Sequence, residues 1–474
     1  MIPKQEEIIV GLDIGSTKVC AVAGRLIRSN DHARLDVLGV GKAISKGVTK
    51  GSVVNIGQTV EAINRAVEEA AGQANIDIHV VNVSFSGQNV TARRQHGSIT
   101  RTSPGDEVVA DDIDHLVGDM YRSVLPAGAE IVHVLPMDFT VDSESNIDYP
   151  VGRIGVKLEA DFQVITAQTS SASYTRKCIQ RARSVSPQKE PLENDKFLLA
   201  PLASALAVLT DEEKHAGVAL VDIGGGTTEI AIYHKNVLRH VAVVPYAGNS
   251  LTADLEVGCR VLPTQAELLK TKFGSADPTD FRLNEVVAVP NLSGRPPKDI
   301  LLKNVALVIE ARLKEIAAMV QAEIIRSGYR DKLVGGVVLT GGTASISGIE
   351  RIFERVTGLD VRIGFPDQLE HNVKADLVSD PAFATAVGLV WAGFKRLDDR
   401  IPLQHMVLNP VIGSGTNGHG HGHGHGTNGQ TSGKNAKDTG KGEEKGGGGF
   451  MTWVRKFLTD DIGKDLGPDD RYNQ

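Results

Sequence analysis

The chain has 474 residues, long enough for two or more domains around a sizeable core, and its 41% hydrophobic share is that of a soluble protein. A formal net charge of −7 offers no basic field for nucleic acid. Cys20, Cys178 and Cys259 are too few and scattered for a disulfide framework or zinc site, and neither a secretory signal in MIPKQEEIIV nor an apolar run of eighteen or more is present, so any membrane contact is expected to be peripheral.

Residues 8–12, 19–27 and 34–41 read as three strands. The first two flank a turn in VGLDIGSTKVCAV, where Asp13 is followed by Gly15, Ser16 and Thr17. Residues 57–74 carry Val60, Ile63, Val67, Ala70 and Ala71 on one helical face. Residues 80–168 interrupt the expected return to this sheet with elements of their own. Strands are expected over 89–101, 131–141 and 156–165, and an amphipathic helix over 111–125 with Ile113, Leu116, Met120 and Val124 on one face. Arg93 and Arg94 read as solvated strand-edge charges. Residues 161–168 and 170–183 are expected to be the return strand and a linking helix, and the polar 184–196 a loop.

The next stretch, VALVDIGGGTTEIAIY over 218–233, repeats the plan of the first turn. Asp222 falls on Asp13, Gly224 on Gly15 and Thr228 on Val19. Gly224, Gly225 and Gly226 can take positive φ and carry no Cβ, so backbone N–H groups can close on an anion, and Thr227 and Thr228 add hydroxyls. A buried aspartate at such a strand end is costly unless something cationic repays it, as hydrated Mg²⁺ on a nucleotide does. One such turn is as readily an ordinary tight turn; two, one in each half of a duplicated architecture, can grip a polyphosphate from both sides. Two carboxylates at one point repel, and a divalent ion removes the repulsion.

Residues 250–281 are expected to be polar loops, and 300–326 a long helix with an apolar stripe of Val305, Val308, Leu313, Ile316, Val320 and Ile324. Glu310, Arg312 and Lys314 on its polar side are either contacts to ribose or adenine or ordinary solvated charges. In LVGGVVLTGGTASISG a buried strand ends at Gly341, Gly342 and Thr343, where backbone can approach a flat ring, and a helix follows from about Ile349. Residues 381–394 read as a helix crossing back between the halves. From Gly413 to Gly449 the composition collapses to Gly, Ser, Thr, Asn, His and Lys. That is a flexible tether with an r.m.s. reach of roughly 30 to 37 Å. His419, His421, His423 and His425 within it read as a solvated spacer in preference to a metal site. Beyond it Phe450, Trp453, Val454, Phe457 and Leu458 share one helical face, the pattern of an interfacial membrane anchor or of a peptide for a partner's groove.

The ordered trio of an Asp-Gly hairpin, an Asp-Gly-Gly-Gly-Thr hairpin and a strand ending Thr-Gly-Gly resembles the actin, Hsp70 and sugar-kinase ATPase superfamily. GLDIGSTKV at 11, PVG at 150, PLASALAVL at 201, LVDIGGGTTEIAIY at 220, VPYAGN at 244, GRPP at 294, VVLTGG at 337, VRIG at 361 and TAVGL at 385 narrow the resemblance to the FtsA family of actin-like bacterial cell-division proteins. That resemblance implies an α/β fold of two actin-like, ribonuclease H-like halves around a nucleotide cleft, with an inserted α+β subdomain, a disordered linker and a C-terminal amphipathic helix. It divides the chain into 1–83 and 164–199 for the first half, 84–163 for the insertion, 200–249 and 330–400 for the second half, 250–329 inserted within it, 401–449 as linker, 450–462 as membrane-targeting helix and 463–474 as polar tail.

It further implies ATP with Mg²⁺ between the halves. Asp13, Gly15, Ser16, Thr17 and Lys18 fall on the first phosphate loop, and Asp222, Gly224, Gly225, Gly226, Thr227 and Thr228 on the second. Gly341, Gly342 and Thr343 match the adenosine loop, with Glu310 and Lys314 beside it and Asp13 and Asp222 holding Mg²⁺ through water. Implied partners are the C-terminal tail of the tubulin-like protein FtsZ on residues 250–329, further copies of the chain in protofilaments, later division proteins, and the inner face of the cell membrane at the division site through residues 450–462. ATP turnover is expected to be slow at most, since no water-activating group is identified. The alternative is a sugar or polyol kinase of the same superfamily, which would need a carboxylate base aimed at a substrate hydroxyl. Two features depart from the family pattern: a long polar loop at 184–196, and sixteen residues after the apolar part of the terminal helix.

Overall fold

The computed structural model describes residues 7–29, 32–102, 105–184, 190–290 and 295–397. The linker, terminal helix and tail expected over 401–474, including Phe450, Trp453, Val454, Phe457 and Leu458, lie outside the described residues.

Strand Ile8–Ile14 turns back into Lys18–Ser29, which pairs onward with His32–Ile44, all antiparallel. Val80–Phe85 adds parallel to Ile8–Ile14, and Glu193–Leu199 adds parallel to Val80–Phe85. Helix Ile56–Ala74 lies on this sheet with Ile63, Ala66, Val67, Ala70 and Ala71 buried, and the side chain of Asn55 caps its start by accepting from the Gln58 amide. The helix sits unusually close because the strand beneath is glycine where they meet: a Cβ on Gly41 would lie 1.8 Å from the Ala66 carbonyl oxygen.

The second half repeats the plan. Val218–Ile223, Thr228–His234 and Val237–Val244 form an antiparallel meander, with Val337–Thr340 and Val361–Ile363 added in parallel. Between the two sheets run helices Ala200–Val208 and Ala384–Leu397. The first is apolar nearly all round, the signature of a helix with no solvent face, and eight of its nine residues are buried. Small residues let the layers touch. A Cβ on Gly388 would lie 1.8 Å from the Ala203 carbonyl, and one on Gly11 2.5 Å from that of Ala386. The resulting core joins Val22 and Leu35 of the first half to Leu220 and Ala231 of the second.

The insertion is a four-stranded antiparallel sheet in the order Thr91–Thr100, Lys157–Gln168, Ala129–Val141, Glu144–Ile147, packed against helix Ala110–Tyr121. Its own core contains Leu116, Val134, Phe139, Leu158 and Phe162.

Four sequence expectations are corrected. Val80–Phe85 belongs to the first half's main sheet, so the insertion starts after it. Residues 161–168 are no separate return strand: the alternation of Leu158, Ala160, Phe162 and Val164 continues without a break, and one strand runs from Lys157 to Gln168 through the expected boundary at 163/164. The return strand is instead Glu193–Leu199, whose polar first residues read as loop because this strand forms one edge of its sheet. The expected loops over 250–281 include helices Gly248–Cys259 and Pro263–Phe273. Their buried stripes, Leu251, Leu255 and Cys259 in one and Ala266 and Leu269 in the other, are too narrow to stand out from their polar surroundings.

Candidate functional site

The two matched turns meet between the halves. In the first hairpin Asp13 pairs with Cys20 and Ile14 with Val19; in the second Asp222 pairs with Glu229 and Ile223 with Thr228. Each turn is closed by the same bond: the Gly15 amide donates to the Lys18 carbonyl at 3.0 Å, and the Gly224 amide to the Thr227 carbonyl at 3.0 Å. Asp13 and Asp222 therefore occupy equivalent places at the ends of the two central strands, as the sequence alignment of the turns requires.

The glycines of the second turn serve a purpose other than the one expected. None of Gly224, Gly225 and Gly226 lies in the left-handed region. They are there for space: a Cβ on Gly225 would lie 1.8 Å from Oγ1 of Thr17, and one on Gly226 2.3 Å from Oγ of Ser16. The side chains of Ser16 and Thr17 thus pack directly on the second turn because Gly225 and Gly226 carry none. Positive φ is needed instead at Gly341, where φ is 86° and a Cβ would fall 2.3 Å from Oδ1 of Asp222.

Above the turns opens a cleft of about 730 Å³, a size suited to a small organic ligand. Asp13, Gly15, Ser16, Thr17 and Lys18 line it from one side, and Asp222, Gly224, Gly225 and Thr227 from the other. Gly341, Gly342 and Thr343 close its far end, joined to the second turn because Thr343 Oγ1 donates to the Gly224 carbonyl at 2.8 Å. Gly226 and Thr228 are not in the lining. The Thr228 hydroxyl is turned away and donates to the Tyr246 carbonyl at 2.8 Å. The carbonyls of the second turn are also committed elsewhere: Gly224 accepts from the Gly248 amide and Gly225 from that of Asn249, at 3.1 and 2.7 Å.

The floor of the cleft gathers carboxylates. Asp13 accepts from the Ser84 hydroxyl at 2.8 Å. Asp222, 7% exposed, accepts from Ser204 at 2.6 Å and from Thr385 at 3.2 Å, one hydroxyl from each helix between the sheets. Burial pushes the carboxyl of Asp222 up to about 6, with the nearby charge of Asp13 acting in the same direction. Asp13 is raised too, chiefly by burial and against the pull of the Ser84 hydroxyl and the Lys18 ammonium. Lys18 is lowered, again mainly by burial; its ammonium donates to the Ala382 carbonyl and stands 3.8 Å from the centre of the Phe383 ring.

A third acid escaped the sequence reading. Glu229 is 4% exposed and lines the cleft, and its carboxyl is pushed up to about 8 by burial first and by Asp222 second. Its Oε1 accepts from the hydroxyls of Ser86 and Thr227, whereas Oε2 has no hydrogen-bond partner among the described residues. The signal was present: in TEIAIY all positions of the strand are buried or nearly so, and the one acid among apolar neighbours has nowhere to go but inward.

The expected ring contacts are corrected. Glu310 and Lys314 do not line the cleft; they pair with each other at 2.7 Å one turn apart on the helix Leu302–Ser327. Arg312 is 8% exposed and makes a two-pronged bond to Asp254, at 2.6 and 2.9 Å, that ties this helix to Gly248–Cys259. Helix Pro263–Phe273 contributes Glu267, Lys270 and Thr271 to the cleft lining that Gly341–Thr343 also belong to. The Lys270 ammonium is held by Glu267 at 2.7 Å and by Thr252 at 2.9 Å. That helix was expected to be loop, so no face could be assigned to its charges.

Among the described residues there is no cluster of three or more His, Cys, Asp or Glu able to hold a metal ion directly, and no helix long and apolar enough to cross a membrane.

The family model described as cell division protein FtsA matches residues 219–388, and the one described as the SHS2 domain inserted in FtsA matches residues 87–166, which coincide with the insertion. The cell division protein FtsA of Pseudomonas aeruginosa is 36% identical over 395 residues, covering 83% of this chain and 91% of that protein. Those of Neisseria meningitidis and Escherichia coli K12 are 34% and 33% identical over 84% and 82% of this chain, and over 93% and 90% of their own lengths. Among solved structures the PilM-PilN type IV pilus biogenesis complex superposes with a TM-score of 0.57 at 16% identity, over 82% of this chain and 99% of that one, a likeness of fold. The two duplicated halves and the α+β insertion are the actin-like arrangement expected from the sequence.

Proposed function

The chain belongs to the FtsA family of cell division proteins, and on that premise we propose that it is an ATP-dependent adaptor that polymerises and ties FtsZ filaments to the inner face of the cell membrane. Its actin-like cell-division role follows from the family. The nucleotide, FtsZ and membrane parts are our reading. The observation that carries the nucleotide part is the pair of equivalent turns, with Ser16 and Thr17 of one packed on Gly225 and Gly226 of the other and with Asp13, Asp222 and Glu229 lining the same cleft.

The residues fit Mg-ATP. Three acids crowded into a desolvated floor oppose one another's ionisation, and a hydrated divalent cation lets all three ionise together. Asp13, Asp222 and Glu229 are the residues that would hold that cation, and it would supply charge neutralisation where they crowd together. The second turn, its Gly224 and Gly225 carbonyls engaged behind it, presents its other side to the phosphates, and the Ser16 and Thr17 hydroxyls face it. The Lys18 ammonium offsets phosphate charge. At the far end Gly341 and Gly342 give flat backbone for the adenine, and Glu267 and Lys270 supply polar contacts at the ribose side, a role first assigned to Glu310 and Lys314. Mg²⁺ itself supplies charge neutralisation at the phosphates.

In this reading FtsZ binds residues 250–329, copies of the chain associate through the actin-like body, and residues 450–462 bind the membrane by setting Phe450, Trp453, Val454, Phe457 and Leu458 into the lipid interface. Co-sedimentation with lipid vesicles tests the adaptor reading. The full chain should pellet with vesicles and form filaments on them with Mg-ATP, and a chain ending at Gly449 should stay in the supernatant. Equal behaviour of the two chains would remove the membrane role from the terminal segment.

A further inference from the structure

The insertion meets the cleft at its root. Strand Val80–Phe85 ends in the main sheet and Thr91 begins the insertion's sheet, so residues 86–90 are the whole of the first connection. Ser86, the first of them, donates to Oε1 of Glu229 and stands 3.5 Å from Oγ1 of Thr227 in the second turn. Gly87 and Gln88 are in contact with the first turn through an intermediary: the Gln88 amide donates to the Lys50 carbonyl at 3.3 Å, and the next amide along, that of Gly51, donates to Oγ of Ser16 at 2.9 Å. A Cβ on Gly51 would lie 2.7 Å from the Gly87 nitrogen, so the connection is pressed against that loop with no slack. Both phosphate turns are thereby read at one short segment.

The insertion has a second hold on the opposite half. Asp138, on strand Ala129–Val141, pairs with Arg239, a 6% exposed residue on strand Val237–Val244. That strand pairs with Thr228–His234, whose second residue is Glu229, with Glu229 opposite Val243. The insertion is therefore attached to the second half at both ends of one strand pair, and one of those attachments is a hydrogen bond to an acid in the cleft.

We propose that the Ser86–Glu229 hydrogen bond is a relay that couples the contents of the cleft to the insertion's root. This rests on the nucleotide reading of the cleft and names how that site is regulated. Among the described residues Glu229 bonds the hydroxyls of Ser86 and Thr227, and so holds Ser86. When a divalent cation and polyphosphate enter, the carboxylate turns to the cation's water shell, as Oε2, without a partner among the described residues, equips it to do, and releases Ser86. The root loosens and the insertion is freed from the second half at that point. The insertion's surface is then presented differently in the loaded and empty states.

Hydrogen exchange of the full chain, with and without saturating Mg-ATP, tests this, each variant being loaded according to its own binding titration. In the wild type the amides of residues 87–91 should exchange about fivefold faster with Mg-ATP, the effect of one lost hydrogen bond. Ser86→Ala should show the fast rate in both states. Glu229→Gln, which still accepts from Ser86 but does not attract a cation, should stay slow in both. Ser98→Ala, on the exposed side of the insertion, should respond as the wild type does. A titration in which the wild type takes up no ATP would overturn the nucleotide reading itself. ATP binding with no change at residues 87–91, or a wild-type response in Ser86→Ala, would overturn the relay alone.

Discussion

Glu229→Gln should make the nucleotide-free protein more stable at alkaline pH while making it worse at holding Mg-ATP. The carboxyl sits at about 8 in the fold against the ordinary 4.5. A group raised in this way favours the fold fully below the unfolded value, and that contribution is lost as pH climbs through the folded value. Between pH 4.5 and 8 the unfolded chain ionises this group while the fold keeps it protonated, so wild-type stability falls by roughly 4–5 kcal/mol, at about 1.4 kcal/mol for each pH unit of the gap. A neutral amide avoids it, less about 1–2 kcal/mol because its second polar atom replaces Oε2, which has no partner among the described residues. The net gain is about 3 kcal/mol above pH 8, or about 4 °C in Tm for a folded body of some 400 residues. Below pH 4.5 the gain should be gone, leaving the variant about 1–2 kcal/mol less stable than wild type. Thermal unfolding of the nucleotide-free full chain at pH 4.5 and pH 8.5 measures this directly. A variant no more stable than wild type at pH 8.5, or a gain of the same size at both pH values, would refute the burial of an ionisable acid as the cause.

Other outcomes follow from the same geometry. Gly225→Ala puts a methyl group 1.8 Å from Thr17 Oγ1 and 3.0 Å from its Cβ, so the turns must part; a cost of about 1–3 kcal/mol in stability and at least roughly tenfold weaker ATP binding are expected, read by Tm and by titration. Lys270→Ala should weaken ATP about tenfold and Lys314→Ala should leave it unchanged, a comparison that decides which helix meets the adenosine end. Gly388→Ala drives a methyl group onto the Ala203 carbonyl and should lower Tm by several degrees, roughly the effect of overpacking a core contact. Arg239→Ala leaves the partly buried Asp138 unpaired at the edge of the second half and should speed exchange in strand Ala129–Val141 with little change in strand Val80–Phe85.

The duplicated core was legible because its signals are local and doubled. Asp13 and Asp222 with their following glycines repeat at the same spacing, and the register of the two hairpins pairs them as the sequence did. The purpose of Gly225 and Gly226 was not legible, since the need for them comes from Thr17 and Ser16, which lie far away in sequence and reach them only across the cleft. Glu229 lies outside the turn motif, which ends at Thr227 and Thr228, and its signal is of another kind, an acid in a strand buried on both faces. Glu310, Arg312 and Lys314 were misassigned for a different reason. Their helix was recognised, but its polar side faces Asp254 and its own neighbours, and the helix that does face the cleft, Pro263–Phe273, carries only Ala266 and Leu269 as buried residues. The ends of the insertion failed for want of any break in the alternating pattern through Gln168.

The central claim is that the paired turns and their acids form a site for a nucleotide with its cation. Calorimetric titration of ATP into the full chain, with Mg²⁺ and with excess chelator, tests it most directly when run beside Asp222→Ala. The account predicts one site per chain, binding that weakens at least about tenfold without Mg²⁺, and a similar loss in Asp222→Ala whether or not Mg²⁺ is present. Binding that is indifferent to both the cation and Asp222, or no binding at all, would contradict it.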